Sequence, residues 1–156
     1  MSFIAGQYTA TWNALAIGQT ADGLRLIHQV FKRLVTGDSY AEAPQDAIYR
    51  GADLAISFRL IEYDAAAVQT LKWPYSATKW QIGTVGTADV GSSLAKQLVM
   101  TAVAGTPAAT TPATATFPKS ILHENFPVEV LFAPDLREVP IRLRVYPVAG
   151  LLGTET

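Results

Sequence analysis

The sequence predicts a mainly β protein, a β-barrel or β-sandwich with one short flanking α-helix. Three observations predict it. Apolar and polar residues alternate with a period of two in several segments. The segments between them are rich in Gly, Pro, Asp and Thr. Only one stretch has the composition and stop signal of a helix. The chain of 156 residues is long enough to bury a core and short for two domains, so a single domain over 1–156 is expected.

The elements follow in order. In Gln7–Asn13, Tyr8, Ala10 and Trp12 share one face and Thr9, Thr11 and Asn13 the other, which is a strand. Ala14–Gly23 reads as a connection with two glycines. Leu24–Val35 is ambiguous by pattern. Leu24, Leu26 and Val30 suit a strand face, while Ile27, Phe31 and Leu34 fall at helical spacing. A long strand is preferred, because Ile, Val and Phe favour strands and no capped acidic first turn precedes the segment. Gly37–Gly51 opens and closes on glycine and has no apolar period, so a long loop is expected; loops of this length are often functional.

Ala52–Glu62 has the clearest alternation. Leu54, Ile56, Phe58 and Leu60 form one face, and Asp53, Ala55, Ser57 and Arg59 the other. Asp64 is placed to cap a short helix that Trp73-Pro74 ends. Lys79–Gly91 suggests a loose strand and turn, Ser92–Val103 a strand, Gly105–Thr116 an extended connection, and Phe117–His123 a strand or turn. A closing hairpin is expected from Val128–Phe132, a turn at Ala133–Leu136, and Val139–Val145. Pro140 restricts its position to a strand start, bulge or edge. Gly150–Thr156 reads as a polar, mobile tail.

Little in the sequence points to catalysis. His28 and His123 stand alone in their segments, and no Gly-x-Ser-x-Gly elbow is present. There is no cysteine, no His-x-x-x-His pair and no calcium-loop spacing, so no metal or other cofactor is expected. Gly83-Thr84-Val85-Gly86 lacks the lysine of a phosphate loop and reads as a turn. Arg142 and Arg144 suit a solvated or salt-bridged face better than an anion site. Trp12, Trp73 and Trp80 suit core or interface positions. The reading is of a non-enzyme.

Composition suggests what the chain does instead. Charged residues make up 16% of it and hydrophobic ones 49%, against roughly 25% charged in an average soluble domain. So little charge suits a protein whose surface is covered by partners. The net charge of −1 gives no basic footprint for nucleic acid. Met1–Gln7 lacks the charge and apolar run of a signal peptide, and no stretch has membrane-span length. The expectation is a product of the cytoplasm with no membrane partner.

The run from Gly37-Asp38 through Ala43-Pro44-Gln45-Asp46-Ala47-Ile48-Tyr49-Arg50-Gly51 into Ala52–Leu60, then Glu62-Tyr63-Asp64 and the helix ending at Trp73-Pro74, resembles the tail tube proteins of bacteriophages. The opening Gly6–Trp12 and closing Val139–Val148 strands resemble that family too. Gly83–Thr116 matches none of it. The resemblance implies a virion protein whose hexameric rings stack into a hollow tube for DNA ejection, a plan shared with the type VI secretion tube. It implies partners in copies of the chain, with sheath, terminator and baseplate proteins beyond them, and DNA only in transit. The 37–51 excursion then makes the inter-ring contact, with Asp38, Tyr40, Glu42, Pro44, Asp46, Tyr49 and Arg50 as candidate residues. Asp53, Ala55 and Ser57 are candidates for the lumen wall, on a face where Arg59 departs from the small polar pattern. Two other readings stand beside it. One is a tail terminator, tube initiator or baseplate ring subunit of the same fold. The other is a small-ligand-binding β-barrel lined by Trp12 and Trp80.

Overall fold

A computed structural model describes residues 7–37, 44–63, 65–75, 94–103, 112–131 and 138–156. Its strands are β1 (Tyr8–Trp12), β2 (Leu15–Ala16), β3 (Thr20–Thr36), β4 (Pro44–Leu60), β5 (Lys96–Ala102), β6 (Thr114–Leu122), β7 (Val139–Val145) and β8 (Thr154–Glu155). They form one antiparallel sheet of eight strands in the order β2-β1-β5-β6-β7-β4-β3, with β8 added against β6. The single helix, α1, is Val68–Lys72. The expected fold class holds: the protein is mainly β with one short helix, sandwich-like, and not closed into a barrel.

The sheet must curl, and the chain shows why. Its two end strands, β2 and β3, are consecutive in sequence, joined only by Ile17-Gly18-Gln19. Seven strands laid flat would put the end strands about 29 Å apart. The four Cα steps from Ala16 to Thr20 reach about 15 Å at most. The linker bridges the gap by hydrogen bonds to both ends. Ile17 N–H donates to the Ala10 carbonyl at 3.2 Å, and Ile61 N–H donates to the Gln19 carbonyl at 3.1 Å. Gly18 sits at φ +77°, and a Cβ there would fall 2.9 Å from Glu62 Cβ. Ala67 N–H, beside α1, donates to the Ala16 carbonyl at 3.1 Å. The helix therefore closes the mouth that the strands leave open.

Inside the curl lie Trp12, Ile17, Ile56, Leu60, Leu98, Ile141 and Leu143, all at 2% exposure or less. The period-two faces read from sequence supply most of them: Ala10 and Trp12 from β1; Leu54, Ile56, Phe58 and Leu60 from β4; Val139, Ile141, Leu143 and Val145 from β7. Trp12 Nε1–H donates to the Ser120 carbonyl at 3.2 Å, so its polar edge is satisfied in the core. Trp80 lies outside the described residues.

Several expectations need correction. The 14–23 connection contains β2 and the start of β3. Residues 44–51 of the expected loop are strand, because they pair with β3 even though neither face of the pair is buried. Burial, not pairing, produces an apolar period, so the pattern gave no sign of this strand. Val128–Leu131 belongs to no ladder. The final residues are tied rather than free: Thr154 and Glu155 pair with Thr116 and Ala115, and Thr156 exchanges two backbone bonds with Thr114. The helix begins at Val68 with no side-chain cap, and Asp64 lies outside the described residues. Pro140 is the second residue of β7, a strand start as its missing N–H requires.

Candidate assembly interface

The distinctive feature is the β3–β4 hairpin. β4 pairs with β7 only from Ala55 to Leu60, whereas its pairing with β3 continues out to Thr36 opposite Pro44. Beyond Ala55 the two strands run on as a two-stranded arm. The eight steps from His28 to Thr36 carry it about 25 Å past the sheet at roughly 3.3 Å per residue. β3 also ends the strand order, so its outer edge is unpaired among the described residues.

The register fixes the two faces. Leu26, His28, Val30, Lys32 and Leu34 lie on one, the last four opposite Leu54, Ala52, Tyr49 and Ala47. Ile27, Gln29, Phe31, Arg33 and Val35 lie on the other, opposite Ala55, Asp53, Gly51, Ile48 and Asp46. The register slips by one between Phe31–Gly51 and Lys32–Tyr49, which makes Arg50 a bulge residue. Both faces are wet. Of eleven markedly exposed large apolar residues among those described, eight are on this hairpin, including Leu34 at 59%, Ile48 at 57% and Tyr49 at 63%. An isolated hairpin is marginal in water. Apolar residues on both sides of one leave a contiguous apolar surface of the kind found at interaction sites.

The root of the arm is held by charge. Arg144, on β7, donates to Asp53 at 2.7 Å and to the two Glu124 oxygens at 2.7 and 2.5 Å. It also donates to His123 Nε2 at 3.1 Å, while His123 Nδ1 lies 2.6 Å from the Glu124 carbonyl oxygen, which the Nδ1–H tautomer satisfies. The Arg144 hydrogen bond is the main reason the Glu124 carboxyl is held below the usual carboxylate range, against a smaller opposing effect of burial. Arg144 is pushed up in turn, chiefly by the same bond. Burial raises the nearby Tyr75 phenol, with Tyr146 and Glu124 adding to the shift. Four residues along β4 from the Ala55 rung, Arg59 bonds Asp22 and, at 2.5 Å, Glu138.

A second surface lies beside α1. Tyr63, Lys72 and Trp73 face Leu122, Phe126, Val128 and Val130 across an apolar cleft of about 350 Å³. Lys72 is only 8% exposed; its ammonium donates to the Tyr63 hydroxyl and sits 4.8 Å from that ring's centre. No signal in the sequence pointed to this cleft, because its two walls are about fifty residues apart.

The sequence-derived residues are placed as follows. Asp38, Tyr40 and Glu42 lie outside the described residues. Pro44, Asp46, Tyr49 and Arg50 are on the arm, brought together by β4. Asp53, Ala55 and Ser57 lie on the face opposite the core, as the alternation implied; Ala55 is buried at 3% beneath neighbouring side chains but is not part of the core cluster. Arg144 is in ion pairs. His28 is exposed on the arm and unrelated to the His123 group. Among the described residues no three His, Cys, Asp or Glu side chains are grouped to hold a metal, and no helix is long and apolar enough to cross a membrane. Compared with known proteins, the chain matches no protein-family model and no curated protein sequence.

Proposed function

We propose that the protein is a structural subunit that assembles with copies of itself, and that the assembly is a bacteriophage tail tube of stacked hexameric rings. The observation that carries the self-assembly reading is the β3–β4 arm, with a free outer edge and apolar residues exposed on both faces. Exposures of 37–63% on eight side chains leave on the order of 800 Å² of largely apolar surface in water, which is the area one partner gives to a standard interface. An arm on one part of the molecule that fits a different part of the next is a heterologous contact, and such contacts close into rings or extend into filaments. The tube reading adds the likeness to tail tube proteins and the low overall charge.

In this reading the arm makes the ring-to-ring contact, and Asp53 and Ser57 line the lumen with Ala55 buried beneath their neighbours. The charge balance of that face supports a conduit. Arg25, Arg59, Arg142 and Arg144 are matched by Asp22, Asp53, Glu124 and Glu138, several of them directly paired. A wall with unpaired cations would hold phosphates and retard DNA. The ion pairs of Arg59 and Arg144 reduce that hold, whereas Arg25 and Arg142 are in no ion pair among the described residues.

Negative-stain microscopy and light scattering of the purified full chain test the proposal. Rings or tubes that lengthen with concentration are expected. Discrete rings that never stack would move the chain to a terminator, initiator or baseplate position, and a monomer at all concentrations would end the assembly reading.

A further inference from the structure

We propose that the cleft beside α1 receives the arm of a second copy, with Ile48 and Val35 in the apolar part and Asp46 against Lys72. This inference rests on the self-assembly reading and names the two surfaces that meet.

Chemistry on the two sides is complementary. The cleft walls are mostly carbon: Trp73, Leu122, Phe126, Val128 and Val130. Their cavity of about 350 Å³ is at the low end of the roughly 300–1,000 Å³ of ligand sites, a size that suits a pair of aliphatic side chains. The one cation in the lining, Lys72, is buried against the Tyr63 hydroxyl and ring, with no carboxylate within 4.0 Å among the described residues. A buried ammonium gains most from a carboxylate that arrives together with apolar groups that exclude water from the pair.

The arm offers that combination on one face. Asp46 stands directly across the ladder from Val35 and two residues from Ile48, so all three point the same way. Among the described residues the Asp46 carboxylate accepts only from the adjacent Ala47 N–H. A second pair follows from the same placement. Arg33 lies opposite Ile48 on that face, and Glu129 stands exposed on the cleft rim between the inward Val128 and Val130. In the single protomer neither surface is covered by the other, since Ile48 is 57% exposed. The rim segment Phe126–Leu131 belongs to no ladder, so its backbone groups are not committed to a neighbouring strand.

The chain has no cysteine, which makes a direct test simple. The Ile48→Cys protein is mixed with the Val130→Cys protein under mild oxidation, so that a mixed disulfide forms only between copies. The mixed dimer is expected well above the level given by a Thr154→Cys control on β8. Asp46→Lys should lower it by roughly tenfold or more, as for close charge pairs at interfaces, and Asp46→Lys opposite Lys72→Glu should restore it. Asp46 is on the exposed arm, so its variant keeps the test alive where Lys72→Glu fails to fold. Assembly of the wild type with no mixed disulfide above control, or with no response to Asp46→Lys, overturns the docking and leaves self-assembly standing. A wild type that never assembles overturns both. Binding of decanoate that Lys72→Glu abolishes, with assembly untouched, assigns the cleft to a small amphipathic anion and also overturns the docking.

Discussion

Arg144 reaches across from β7 to Asp53 at 2.7 Å, at the point where the β3–β4 arm leaves the sheet. The last ladder rung between these strands is Ala55 with Arg144, so Asp53 is the first residue of its face beyond the rung. The ion pair extends the hold of the sheet on the arm by two residues. Both side chains are partly buried, and a pair of this kind contributes about 1 kcal/mol. Asp53→Asn should cost about that much stability, and a cycle with Arg144→Gln should show the two are coupled. Hydrogen exchange should quicken in residues 46–53 while β4 from Ile56 onward is unchanged.

The same arginine sets an acid-side dependence. Its hydrogen bond holds Glu124 below the usual carboxylate range. A carboxyl with a depressed folded pKa binds fewer protons folded than unfolded, so its stabilisation is complete above the unfolded pKa. It is lost as pH falls through the folded value. Stability should therefore decline below the ordinary carboxylate pKa, and Arg144→Gln should flatten that decline. Carboxyl chemical shifts give the direct check: the Glu124 titration should move to higher pH in the variant.

The arm should be separable from the fold. Ile48 packs against nothing in the core, whereas Ile56 on the same strand is at 0% exposure. Ile56→Ala should cost about 2–5 kcal/mol in urea unfolding. Ile48→Asp should change the monomer by only about 0.5 kcal/mol, as surface substitutions do, yet it should abolish assembly in light scattering. Loss of both stability and assembly in Ile48→Asp would show that the arm is part of the folding unit.

How far the sequence carried depended on burial. Strands with one buried face were legible, since Leu54, Ile56, Phe58 and Leu60 alternate with the small or polar Asp53, Ala55, Ser57 and Arg59, on the side away from the core. The arm was half legible. Its apolar residues come in doublets, Leu26-Ile27, Val30-Phe31 and Leu34-Val35, four residues apart. On a helix that spacing makes one stripe, which explains the ambiguity; on a strand it puts apolar residues on both faces. Its partner, Pro44–Gly51, was hidden because Asp46, Ala47 and Arg50 break any period, and pairing with β3 alone makes it a strand. The Lys72 cleft was not legible, since it exists only once α1 is set beside Phe126–Val130.

The Ile17-Gly18-Gln19 linker gives the last prediction, because it joins the two ends of the curled sheet through the chain. Gly18 and Gly23 both have positive φ, +77° and +71°. Alanine at either position pays the left-handed backbone cost of about 1–2 kcal/mol. At Gly23 nothing lies within 4 Å of a new Cβ, so that cost is the whole effect. At Gly18 the methyl group would meet Glu62 Cβ at 2.9 Å and Ala65 Cβ at 3.0 Å, and Glu62 Oε2 at 2.3 Å. Glu62 must then move, which breaks the 2.7 Å bond it accepts from Gln19 N–H. Losing that charge-assisted bond adds about 1–2 kcal/mol. Gly18→Ala should therefore destabilise the protein more than Gly23→Ala by about the value of one such bond, measured as a difference in urea midpoints at equal slope. Equal effects of the two substitutions would show that the linker has room to shift, and that the curl of the sheet is held by α1 and the core rather than by Gln19 and Glu62.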